Sequence, residues 1–185
     1  MKLLALDTPD GKLRPGQIDR EVWGWGDEHR AQPLVVSITQ STELGTNYSP
    51  EEVRAISDTA HAQGMHVHLD GSRIANAAAS LGVPLRAFTT DAGVDVISLG
   101  GTKNGALGAE AIVVLRTEAS EGLRYLRKLN MQLGSKQRFA SAQLIALFEG
   151  ELWRDSASHA NAMATRLRAA LVDAAATGRL SFTQA

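Results

Sequence analysis

The sequence predicts an α/β fold, a mainly parallel sheet with flanking helices. Three observations carry this. Short apolar, β-branched runs recur at residues 33–38, 65–69, 94–99 and 111–115, and helical periodicity fills much of what lies between and after them. The first three runs each empty into a polar turn, as strands do in a layered α/β sheet. The 185 residues, 44% hydrophobic and 21% charged, suffice for one sizeable core.

The elements follow in chain order. Residues 2–6 suggest a short strand, and 7–16 form a turn rich in proline and glycine. A short helix is expected over 17–25, with Trp23 and Trp25 as packing residues. The strand at 33–38 opens into Thr39-Gln40-Ser41-Thr42-Glu43, all polar. Ser49 reads as an N-cap, Pro50 as the first helical residue, and Glu51 and Glu52 favour the helix dipole. That helix runs to about residue 63, with Val53, Ile56 and Ala60 on one face and Gly64 closing it. The strand 65–69 ends at Asp70-Gly71, and an alanine-rich helix spans 72–81 until Gly82 and Pro84. Beyond the fourth strand, helices are expected over 118–133, 137–150 and 151–176. The last has Leu152, Ala162, Leu167 and Leu171 as its packing residues. Residues 180–182 suggest the start of another strand.

Composition narrows the function classes. A formal net charge of -1 gives no global field for nucleic acid. Cysteine is absent, which excludes disulfides and thiolate ligands and suits a cytoplasmic protein. No apolar run approaches the roughly 20 residues of a membrane span, and residues 1–7 turn acidic too soon for a signal peptide.

Three polar clusters stand at strand ends: 39–43, 70–73 and 100–104. In a parallel sheet they share one edge, where sites form. In the third, Gly100, Gly101 and Gly105 bracket Lys103, so that a lysine amine stands just past a strand. It is either a solvated turn residue or an amine poised to attack a carbonyl. On the second strand, alternation places His66, His68 and Asp70 on one face. Asp70 either caps the following helix or serves a site. His66 and His68, two apart, resemble the metal-binding histidine pair of adenosine deaminases, which would imply a metal-dependent hydrolase. The remaining histidines, His29, His61 and His159, do not supply the further ligands, and 185 residues are too few for an eight-stranded barrel. No metal is expected. Asp70, Arg73 and Lys103 taken together match a pyridoxal-phosphate site. The carboxylate would keep the pyridine nitrogen protonated, the lysine would form the imine, and the arginine would hold an anionic oxygen.

Longer stretches carry a family resemblance. His68-Leu69-Asp70-Gly71-Ser72-Arg73 resembles the His-Leu-Asp-Gly-Ala-Arg stretch of threonine aldolases. Residues 93–105, from Gly93-Val94-Asp95 to Lys103-Asn104-Gly105, resemble the cofactor-lysine segment of their bacterial low-specificity branch. Residues 37–45, 135–139 and Leu152-Trp153 resemble the same branch, and the similarity runs from about residue 35 to about residue 168.

The resemblance implies a type I pyridoxal-phosphate fold, like the aspartate aminotransferase large domain. It also implies cleavage of L-threonine or L-allo-threonine, β-hydroxy-α-amino acids, to glycine and an aldehyde. By position, Lys103 would be the catalytic Schiff-base lysine and Asp70 the pyridinium partner. Arg73 would contact the cofactor or the substrate carboxylate, and Thr102 the phosphate. Ser72 stands where alanine is usual. The family's earlier phosphate turn and ring-stacking histidine have no counterpart here, so a fragment of a longer enzyme is expected, or an inactive remnant that only binds or dimerises. Residues 1–150 would belong to the large domain, and 151–185 would be a long helix entering a truncated small domain. A homodimer or homotetramer is implied, and Arg124, Arg127 and Lys128 form either a solvated basic face or a subunit contact.

Overall fold

A computed structural model describes residues 2–179 and Ser181. Its elements are α1 (Pro15–Glu21), β1 (Val35–Thr39), α2 (Pro50–Ala62), β2 (His66–Gly71), α3 (Ile74–Leu81), β3 (Val96–Gly100), β4 (Glu110–Val114), α4 (Leu123–Leu129), α5 (Gln137–Phe148) and α6 (Leu152–Ala176). Single 3-10 turns occupy Leu85–Phe88, Thr102–Asn104 and Thr117–Ser120.

The four strands form one sheet in the order β1-β2-β3-β4. The first two pairings are parallel and the last is antiparallel, so the α/β, mainly parallel expectation holds. Ser37 lies opposite His68, Thr39 opposite Asp70, and Asp70 opposite Ser98.

Alternation along the strands sorts the sheet into two faces. Val36, Ile38, Val67, Leu69 and Ile97 are buried against Val53, Ile56 and Ala60 of α2, Ile74, Ala75 and Ala78 of α3, and Trp153 and Ala157 of α6. The other face carries Ser37, His66, His68, Ser98 and Ile112, which are exposed or half-buried. Among the described residues, helices therefore cover one face of the sheet.

The helix α2 starts as the sequence predicts. The Glu52 N–H donates to Ser49 Oγ, and the Ser49 N–H donates to the Glu52 carboxylate, a reciprocal capping box. Glu52 also takes a hydrogen bond from Lys12 Nζ at 2.7 Å, which ties the N-terminal segment down.

Several expectations are corrected. Residues 2–6 form no strand. The first helix ends at Glu21, and Trp23 is 60% exposed, its ring covered instead by the Arg30 guanidinium at 3.3 Å. Trp25 is also exposed. The helix expected over 118–133 is broken at Gly122, whose φ of 75° places it in the left-handed region. On α6, Trp153 and Ala157 are the buried residues among those described, while Leu152, Ala162 and Leu167 face outward and Leu171 is half-buried. The strand expected at 180–182 involves Leu180 and Phe182, which lie outside the described residues.

Candidate active site

The three polar clusters meet at the C-terminal ends of β1, β2 and β3, as the parallel register requires. The chain leaving β1 continues the ladder for one more bond, Gln40 N–H to the Asp70 carbonyl at 2.9 Å. Gln40 is fully buried and closes the following loop on Tyr48: its Nε2 donates to the Tyr48 carbonyl, and its Oε1 accepts from the Tyr48 N–H, both at 2.9 Å. Ser41 and Thr42 are buried too. Of the run 39–43, Glu43 alone is exposed to solvent at the strand end.

Asp70 is half-buried at the end of β2. Its Oδ1 accepts the Ser72 N–H at 3.0 Å, which orients the carboxylate within a turn. It does not cap the next helix, because Arg73 occupies the N-cap position of α3. The Arg73 guanidinium turns back across the edge, and its Nη1 donates to Glu43 Oε1 at 2.9 Å. This pair joins the first two clusters.

Lys103 sits in the 3-10 turn after β3, exposed, and its amine has no hydrogen bond or ion pair among the described residues. The turn itself is firmly built. The Gly101 N–H donates to the Ala109 carbonyl at 3.1 Å, and Asn104 Nδ2 donates to the Trp153 carbonyl at 2.9 Å. A Cβ at Gly101 would stand 2.5 Å from the Ala109 oxygen, and one at Gly100 would stand 2.8 Å from Ser72 Cα. Only glycine fits where these backbones cross. The Thr102 N–H is taken by Glu110 Oε1 at 3.1 Å, which leaves its hydroxyl as the group free for an anion.

One row of side chains at this site was not foreseen. His68 lies across the open face between two serines, with Ser37 Oγ 2.8 Å from Nδ1 and Ser98 Oγ 2.9 Å from Nε2. A neutral imidazole satisfies both, donating from one nitrogen and accepting at the other. Burial pushes the His68 pKa below its usual value, against the opposing pull of the Asp70 charge. Alternation puts His68 and Asp70 on one face, but the pairing depends on register, which the sequence does not display. His66 lies apart, 3.9 Å from Asp95, and no metal-binding group of three occurs among the described residues.

The opposite ends of the strands are organised by Asp95, which is 1% exposed. Its Oδ2 accepts the Val67 N–H and lies 2.9 Å from His61 Nε2, while Arg116 Nε is 3.6 Å from Oδ1. A cleft of about 280 Å³ lined by Arg54, Asp58, His61 and Arg116 opens there, at the other end of the sheet from Lys103.

The sequence of residues 1–181 matches the model of the β-eliminating lyase family. The chain is 41% identical over 172 residues to the low specificity L-threonine aldolase of Pseudomonas sp. strain NCIMB 10558, covering 93% of this chain and 50% of that protein. It is 43% identical over 171 residues to the low specificity L-threonine aldolase of Pseudomonas aeruginosa, covering 92% of this chain and 49% of that protein. The structure superposes on a threonine aldolase of Leishmania major with a TM-score of 0.84 and 31% identity, over 92% of this chain and 50% of that one. The chain thus spans about half the length of the relatives it matches. With residues 1–181 matched, the chain belongs to the β-eliminating lyase family.

Proposed function

We propose that this chain supplies the lysine-bearing part of a pyridoxal-phosphate aldehyde-lyase that cleaves L-threonine or L-allo-threonine to glycine and an aldehyde. The observation that supports this is the position of Asp70 and Arg73 after β2 and of Lys103 after the adjacent parallel β3, in a chain similar to low specificity L-threonine aldolases. The donor set fits the cofactor. A carboxylate with one oxygen fixed by a backbone N–H keeps its other oxygen for a pyridinium, and an unpaired amine follows the next strand. When bound, pyridoxal phosphate supplies an electron sink for the α-carbon.

The chain's own residues then have separate tasks. Asp70 would accept a hydrogen bond from the pyridine nitrogen and keep the ring protonated. Lys103, which has no ion pair among the described residues, would hold the cofactor through its amine and would move protons at that nitrogen. Arg73 anchors the substrate carboxylate, a planar anion that its fork matches. The Thr102 hydroxyl would serve the phosphate. Residues 1–150 would serve as the partial large domain, and 151–185 as a long helix and the start of a small domain.

The exposed apolar side chains of the α4 region support a homo-oligomer. Leu126, Leu129 and Met131 are 51%, 77% and 90% exposed, beside basic Arg124, Arg127 and Lys128. Among the described residues no helix is long and apolar enough to cross a membrane, and a cysteine-free chain of this composition suits the cytoplasm.

The test is chemical trapping. Incubation with pyridoxal phosphate, borohydride reduction and peptide mapping should place one pyridoxyl group on Lys103, and Lys103→Ala should abolish it. A folded wild-type chain labelled no more at Lys103 than at its other lysines would instead mark an inactive remnant.

A further inference from the structure

We propose that Glu43 is a built-in occupant of the carboxylate anchor, an internal anion that a ligand carboxylate must displace from Arg73. This rests on reading Arg73 as that anchor. The contact is a single Nη1–Oε1 hydrogen bond of 2.9 Å, although a guanidinium has a second edge donor for a two-pronged carboxylate pair. The pairing is therefore incomplete, and a free carboxylate that engages both donors competes well.

Burial decides how easily the exchange occurs. The Glu43 side chain is 75% exposed and the Arg73 side chain 36% exposed. An exposed pair of this kind is held weakly, so Glu43 leaves at small cost and hydrates once released. The loop backbone need not move. Gln40 locks the loop to Tyr48, and Thr42 Oγ1 lies 2.7 Å from Thr46 Oγ1, so displacement involves the Glu43 side chain alone. Glu43 thus sets the apparent affinity for the carboxylate end of the ligand. It also disfavours stray monovalent anions that make only one contact with Arg73.

The experiment reads Arg73 directly, without cofactor or turnover. The whole chain, wild type and E43Q, is treated with phenylglyoxal, and modification of Arg73 is followed by peptide mass mapping. Arg86, paired by two hydrogen bonds to Asp91, is the internal control. The probe is 3-hydroxybutyrate, which carries the carboxylate and hydroxyl of the substrate class but no amine to consume the reagent. The amide of the same acid is the uncharged control.

In E43Q, Arg73 should be modified faster, and the half-protective concentration of 3-hydroxybutyrate should fall about two- to fivefold, the span of an exposed ion pair. Arg86 and the amide control should not change. Equal half-protective concentrations in the two chains would overturn the role of Glu43 while leaving Arg73 as an anchor. An absence of protection in both chains would overturn the anchor reading and this proposal together.

Discussion

At the scale of single residues, His68 is the most sensitive reporter of the open face. Its pKa is lowered by burial, so between the folded value and the usual histidine value of 6.5 the unfolded chain binds a proton that the folded chain refuses. Stability should therefore rise with pH through that window and fall as the pH drops below 6.5. Urea unfolding of His68→Gln across pH 5–8 should show a shallower slope than wild type, whatever the absolute loss. A slope unchanged by the substitution would place the pH dependence elsewhere. The positions of Asp70, Arg73 and Lys103 at strand ends were legible in the sequence because each follows an apolar run, and alternation fixed the face of Asp70. The Arg73–Glu43 pair was not. Its partners are 30 residues apart and exposed, and such pairs leave no periodic trace.

At the scale of elements, local chemistry decided which predictions held. α2 was legible to within a residue or two because Ser49, Pro50 and Glu52 each satisfy a specific demand of a helix start. Ser49→Ala should cost about 1 kcal/mol in chemical denaturation, the usual worth of an N-cap side chain. The contact of Glu52 with Lys12 should persist, so the slope of the denaturation curve should not change. The stretch 118–133 misled for the opposite reason. Leucine, arginine and lysine all favour helix, and periodicity does not reveal that Gly122 adopts a positive φ and restarts the chain. The direction of β4 follows from length. Residues 101–109 are too few for the dozen or more that a parallel crossover takes, so the strand must return antiparallel.

At the scale of the molecule, the exposed sheet face and the α4 region set the behaviour in solution. No residue of α4 is buried, so its helical bonds are supported by little packing. Hydrogen exchange should be orders of magnitude faster for the amides of α4 than for those of β2 in dilute protein. Raising the protein concentration should slow exchange in α4 if that surface joins copies of the chain, and concentration-independent exchange would argue against it. The sequence revealed the layers but not which face of the sheet stays open, because Ser37, His68 and Ser98 read equally well as polar residues under a light cover. The aspartate at the far end of the sheet has a consequence in time rather than space. Asp95 finds Val67 and His61 at sequence separations of 28 and 34, so its bonds close only after α2, β2 and β3 have assembled. Where such bonds form after the folding barrier, they slow unfolding and leave the folding rate nearly unchanged.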